Sequence, residues 1–252
     1  MASDKTGAAI QRITQWLQAV YGNDLVSLTL YGSRAQAQGI AAAGSAANGH
    51  QPRPDADANL LLVLSEVTAE RLQAGAEALR WWQRQGHRPI AVLSRDEARD
   101  AADVFPIEYL DLQQHRQVLA GEDLFANVTR FPREHRQQVE HELRTQLLRL
   151  RGRYPLAGDA KALSRLMTES AGTFLTLFRH ALAALGEPLV MDKDAVAAAA
   201  ARRFGFAPEP WERLLRARRG EAVLPKDRKQ LQPIFAAYLD AIHKVERQLE
   251  NA

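Results

Sequence analysis

The chain has 252 residues, 46% hydrophobic and 25% charged, the balance of a globular protein with room for one large domain or two modest ones. It contains no cysteine, which excludes disulfides, thiolate metal sites and cysteine nucleophiles. The net charge of +3 is uneven: residues 1–129 carry 11 basic and 15 acidic side chains, and residues 130–252 carry 22 and 15. That asymmetry suggests two domains with an anion handled between them, although a charge run is more often a solvated face. The opening "MASDKTGAAIQR" lacks the basic-then-apolar order of a signal segment, and no uninterrupted apolar run is long enough to span a membrane. A cytoplasmic protein without membrane attachment is the expectation.

Ile10, Ile13, Leu17 and Val20 recur at helical spacing, so residues 8–21 read as an amphipathic helix ended by Gly22-Asn23. "LVSLTLYG" (25–32) is apolar and β-branched and reads as a buried strand. Residues 35–54, rich in Gly and Ala, contain two prolines and little apolar bulk, and read as a flexible insertion. "ANLLLVLS" (58–65) is a second buried strand. "TAERLQAGAEALRWWQRQG" (68–86) is a helix closed by Gly86, with one of Trp81 and Trp82 in the core and the other at its margin. "RPIAVLS" (88–94) reads as a third strand, and "FPIEYLDLQQHRQVLAG" (105–121) begins as a fourth. Strands alternating with helices indicate an α/β (α+β) layered domain over residues 1–130. After "TRFPRE" the pattern turns helical: Val139, Leu143, Leu147 and Leu150 form one stripe, and helices follow over 160–185, 192–204, 208–219 and 226–250. Residues 131–252 are therefore expected to be an all-α bundle.

"LYGSRAQ", followed by "DADANLLLVLS", resembles the nucleotidyltransferase superfamily, which includes the aminoglycoside and the minimal bacterial nucleotidyltransferases. Its signature is an apolar strand ending in Gly-Ser, two carboxylates one residue apart on the next strand, and a third acid later in the chain. The resemblance covers the first half. "FPIEYLDLQQHRQVLAGEDL" and "EHELRTQLLRLR" are also similar to bacterial members with an appended helical domain. The resemblance implies a nucleotidyltransferase-like mixed sheet with flanking helices, Mg²⁺ or Mn²⁺ as the cofactor, and ATP or another nucleoside triphosphate as substrate. It implies Gly32, Ser33 and Arg34 as the phosphate-holding turn and Asp57 as the first metal ligand, with Asn59 at the second position.

The residues carry a physical logic of their own. Gly32 permits a tight turn and close approach of backbone to a phosphate. Ser33 and backbone N–H groups at a helix start can hydrogen-bond phosphate oxygens. Residues 57 and 59, two apart on a strand, project to the same face, where paired carboxylates can clamp Mg²⁺. Asn59 offers a carbonyl oxygen but no charge. A unit charge pair at 4 Å is worth about 4 kcal/mol at an effective dielectric of about 20, so a neutral residue here weakens two-metal chemistry. A register pairing Asp55 with Asp57 would restore two acids. For the third carboxylate, Glu108 and Asp111 are candidates, but on a strand their opposite parity turns them to opposite faces.

In the second half, Glu140 and Arg144 stand i, i+4 as a helical ion pair, or Arg144 or Arg151 reaches toward phosphates across a domain cleft. His87, His115, His135 and His141 lack metal-ligand spacing and read as surface or packing residues. Without an aromatic–basic stacking pattern, specific nucleic-acid binding is disfavoured. Two functions remain open. One is an enzyme transferring AMP from Mg·ATP to a hydroxyl of a small molecule or protein; the other is a pseudoenzyme that binds a nucleotide or a partner without turnover. The acceptor and a homodimeric state stay open.

Overall fold

The computed structural model describes residues 5–32, 34–35 and 58–251. Ser33, Asp55, Asp57 and residues 36–54 of the expected insertion lie outside the described residues. The chain divides into two compact units, Met1–Phe131 and Pro132–Ala252.

The first unit is α+β. Helix α1 (Lys5–Tyr21) buries Ala9, Ile10, Ile13, Leu17 and Tyr21 along one stripe, as i, i+3 and i+4 spacing requires. Gly22 takes φ +50° and turns the chain through one 3₁₀ turn into β1 (Leu25–Tyr31). β2 (Asn59–Leu64) pairs antiparallel with β1, with Leu28 opposite Leu62, Leu30 opposite Leu60 and Tyr31 opposite Asn59. Helix α2 (Ala69–Arg84) starts at Thr68, whose hydroxyl accepts the Arg71 N–H. It leads to β3 (Ala91–Ser94), parallel to β2. Ser94 and Glu97 then form a reciprocal capping box that opens a short α3 (Arg95–Asp100).

The next segment departs from expectation. Residues 106–114 form helix α4 (Pro106–Gln114), and the fourth strand is confined to β4 (Arg116–Gly121), antiparallel to β1. Pro106 stands in the first helical turn, where its missing N–H costs nothing and its fixed φ suits a helix. Ile107, Tyr109, Asp111 and Leu112 are all buried, so burial on several sides mimics the alternation of a strand.

The sheet order is β3-β2-β1-β4. On one face Leu28, Leu30, Leu60, Leu62 and Leu64 pack against Ile13, Leu17 and Trp82. On the other, Val26, Leu61 and Val63 meet Ala98, Ala102, Tyr109, Leu112 and Phe125. With helices on both faces, β2 is apolar on both sides and reads as a continuous apolar run, while β1 also buries Ser27 and Thr29, whose hydroxyls bond each other at 3.0 Å. Trp82 is fully buried and donates its Nε1–H to the Arg88 carbonyl, while Trp81 is half-buried beside Trp16.

The second unit is helical: α5 (Pro132–Arg153), α6 (Ala160–Ala184), α7 (Lys193–Phe204), α8 (Glu209–Arg218) and α9 (Arg228–Glu250). Helix α6 packs against the other four. Val139, Leu143, Leu147 and Leu150 are the buried stripe of α5. Asp159, Asp192 and Asp227 each cap the helix that follows by accepting a backbone N–H. Among the described residues no helix is long and apolar enough to cross a membrane.

Candidate functional site

The candidate site of the first unit lies at the Tyr31 end of β1. The strand exits through Gly32, which holds φ at +85°, a conformation that L side chains rarely adopt. Its N–H donates to the His115 carbonyl at 3.0 Å, tying the turn to the end of α4. A Cβ on Gly32 would stand 3.0 Å from the Asn59 amide nitrogen, so Asn59 lies directly against the turn. Arg34, two residues on, is 1% exposed.

Arg116, the first residue of β4, lies opposite Tyr31. Its Nη1 donates to the Leu112 and Gln113 carbonyls at 3.3 and 3.0 Å. Its Nε and Nη2 clasp both oxygens of Asp123 at 2.7 and 2.8 Å, and this charge-assisted pair holds the Asp123 carboxyl below its usual range. The C-terminal end of α4 is thus clamped to the sheet edge beside Gly32.

That clamp orients the two candidate third acids. On a helix Glu108 and Asp111 stand i, i+3 and share a face, so the strand parity that set them on opposite sides does not apply. Both act on Tyr31. Burial pushes the Tyr31 phenol up to about 12, the negative charges of Glu108 and Asp111 add to the shift, and Arg88 partly offsets it. Glu108 and Asp111 therefore lie within electrostatic reach of Tyr31, which pairs across the strands with Asn59. Tyr31 itself escaped the sequence reading. The signal available was its place immediately before Gly32, and its partners became visible only through strand pairing.

The described oxygen donors here, the Glu108 and Asp111 carboxylates and the Asn59 amide, are of the hard type that suits Mg²⁺. Among the described residues no group of three or more His, Asp or Glu side chains could hold a metal ion. Asp55 and Asp57, which immediately precede β2 in the chain, fall outside that search. A groove of about 510 Å³ lies elsewhere in this unit, lined among others by Arg95, Ala98, Arg99, Leu124 and Phe131, and none of the described candidate residues borders it.

Arg144 occupies a different setting. It lies on α5 of the helical unit and pairs with Glu246 at 3.3 Å and Glu250 at 2.8 Å on α9. Glu140, its expected i, i+4 partner, is taken instead by Arg136 at 3.0 Å. Arg151 donates to His243 at 2.6 Å. Of the histidines, His87 stacks on Trp82 with ring centroids 4.0 Å apart, and His135 is buried against His180. Compared with known proteins, the chain matches no protein-family model, and no curated protein matches its sequence.

Proposed function

We propose that the first unit is a nucleotidyltransferase-like module that takes a nucleoside triphosphate with Mg²⁺ at the Gly32 turn and transfers a nucleotidyl group, AMP from ATP, to a hydroxyl acceptor. The observation that carries the reading is that Asn59 lies against the Gly32 turn, whose N–H is bonded to the end of α4, the helix that bears Glu108 and Asp111. In this reading Gly32 gives phosphate close access to backbone, with Ser33 and Arg34 supplying donors. Asp57 is the main metal-binding acid, Asn59 contributes a neutral oxygen, and Glu108 or Asp111 supplies the third carboxylate. Mg²⁺, when bound, would neutralise phosphate charge and align the triphosphate. A carboxylate of α4 would then accept the proton of the attacking hydroxyl.

A second reading, a nucleotide- or partner-binding module without turnover, is favoured by one residue. Asn59 stands against the phosphate turn where a second carboxylate would complete the metal pair. The two readings separate on labelled ATP with Mg²⁺ or Mn²⁺ and a pool of small-molecule and protein acceptors, beside Asp57→Ala. Asp57-dependent label transfer with pyrophosphate release supports the enzyme. Metal-dependent ATP binding without transfer supports the binding module. Absence of metal-dependent nucleotide binding overturns both.

A further inference from the structure

The approach to β3 brings a cation to the end of the sheet where the Gly32 turn lies. Trp82, fully buried on α2, holds this approach by two contacts. Its Nε1–H donates to the Arg88 carbonyl at 2.8 Å, and its ring stacks on His87 with centroids 4.0 Å apart. Pro89 follows and favours an extended Arg88, because a residue before proline is disfavoured in the helical region.

Strand register fixes where this segment lies. β3 runs parallel to β2 with Ala91 opposite Leu61. Arg88 stands three residues before Ala91, and Asn59 stands two before Leu61, so both lie at the same end of the parallel pair. Asn59 is in turn opposite Tyr31, the residue that precedes Gly32. The Arg88 side chain is exposed, and its positive charge reaches the Tyr31 phenol, against the negative charges of Glu108 and Asp111. Arg116, also beside Tyr31, is engaged by Asp123 and by the Leu112 and Gln113 carbonyls.

We propose that Arg88 is a polyphosphate-binding residue of this site, meeting the outer phosphates of the nucleoside triphosphate from the β3 side. The assignment rests on the nucleotide reading of the Gly32 turn and deepens it. The guanidinium supplies, without metal, part of the positive charge that a second Mg²⁺ would bring.

The neighbouring charges call for such a residue. Two divalent ions need paired carboxylates, and Asn59 is neutral, so the second position holds a metal poorly. Glu108 and Asp111 still direct negative charge toward Tyr31, which opposes a triphosphate unless a cation offsets it. A guanidinium offsets it at every working pH, since it does not deprotonate in proteins. Its planar fork of N–H donors also matches phosphate oxygens two at a time, which an ammonium cannot do.

Isothermal titration calorimetry of the full chain with ATP and with sodium tripolyphosphate, each in Mg²⁺ and in EDTA, tests the assignment. Wild-type protein should bind both ligands in EDTA and bind ATP more tightly in Mg²⁺. Arg88→Gln should weaken both in EDTA by about tenfold or more, the loss expected for a hydrogen bond to a charged group. Arg88→Lys, which keeps the charge but loses the fork, should fall between the two. Neither variant should shift the urea midpoint, because Trp82 bonds the backbone carbonyl and the Arg88 side chain is exposed. Two results overturn the assignment: wild-type protein that binds neither ligand in EDTA, or Arg88→Gln that binds tripolyphosphate as tightly as wild type. In either case, Mg²⁺-dependent ATP binding that requires Asp57 would leave the reading of the Gly32 turn standing. Absence of ATP binding in both conditions overturns that reading and the Arg88 assignment with it.

Discussion

Asn59 rests against Gly32, 3.0 Å from where a Cβ at that glycine would lie, and the glycine itself holds φ at +85°. The turn therefore disfavours a side chain by conformation, and the Asn59 amide would also have to give way slightly. Gly32→Ala should destabilise the first unit by about 1–2 kcal/mol from the backbone alone, read from urea midpoints. On the proposed function, metal-dependent ATP binding by the folded variant should weaken at least about tenfold, because the amide and the turn must move apart. A variant with wild-type stability would contradict the geometry.

The same contact makes Asn59→Asp informative. An acid here would stand two residues after Asp57 in the chain, the spacing of a paired-carboxylate motif. Even half of the roughly 4 kcal/mol of a close charge pair exceeds the 1.4 kcal/mol of a tenfold step. ATP binding in Mg²⁺ or Mn²⁺ should tighten at least about tenfold, with no gain when EDTA replaces the metal. No change in either condition would count against a metal at this position.

Tyr31 reports on the carboxylates of α4. Its phenol, pushed up to about 12 chiefly by burial, should resist ionisation in an alkaline absorbance titration. Because the raised pKa favours the protonated folded state, its contribution is intact below about pH 10 and is lost between about 10 and 12. Glu108→Gln with Asp111→Asn should lower the Tyr31 value while leaving it above that of a free tyrosine, since burial remains. An unmoved Tyr31 would place the two acids elsewhere.

Gly75 of α2 admits the Tyr21 ring. A Cβ there would stand 2.0 Å from the Tyr21 hydroxyl oxygen, which donates to the Arg71 carbonyl at 3.0 Å. Gly75→Ala should cost about 1–3 kcal/mol by overpacking, and Tyr21→Phe about 1 kcal/mol through the lost hydrogen bond. The double variant should be more stable than the sum predicts, because removing the hydroxyl relieves the closest of the clashes and leaves only the ring carbons. Additive costs in thermal or urea unfolding would refute the contact.

Local pattern reveals an element where one packing environment dominates it. β1 and β2 are covered on both faces and so are mostly apolar, with Ser27 and Thr29 of β1 buried against each other, and the stripes of α1 and α5 follow the helical period because each buries one side. Residues 106–114 mislead because Ile107, Tyr109 and Asp111 are all buried at i, i+2 spacing, which imitates a strand. Pro106 at the first turn was the contrary signal. Arg144 misleads differently. Its i, i+4 neighbour is close in sequence, but Glu246 and Glu250, about a hundred residues away, take the charge.

By itself the sequence determined the α+β and helical composition, the absence of cysteine chemistry and the Gly32 turn, since these follow from residue type and short-range period. The tertiary structure alone decided that Asn59 faces Gly32, that Glu108 and Asp111 share a side toward Tyr31, and that His135 meets His180. Strand register and helix packing set those distances, and both depend on burying surface between segments far apart in the chain.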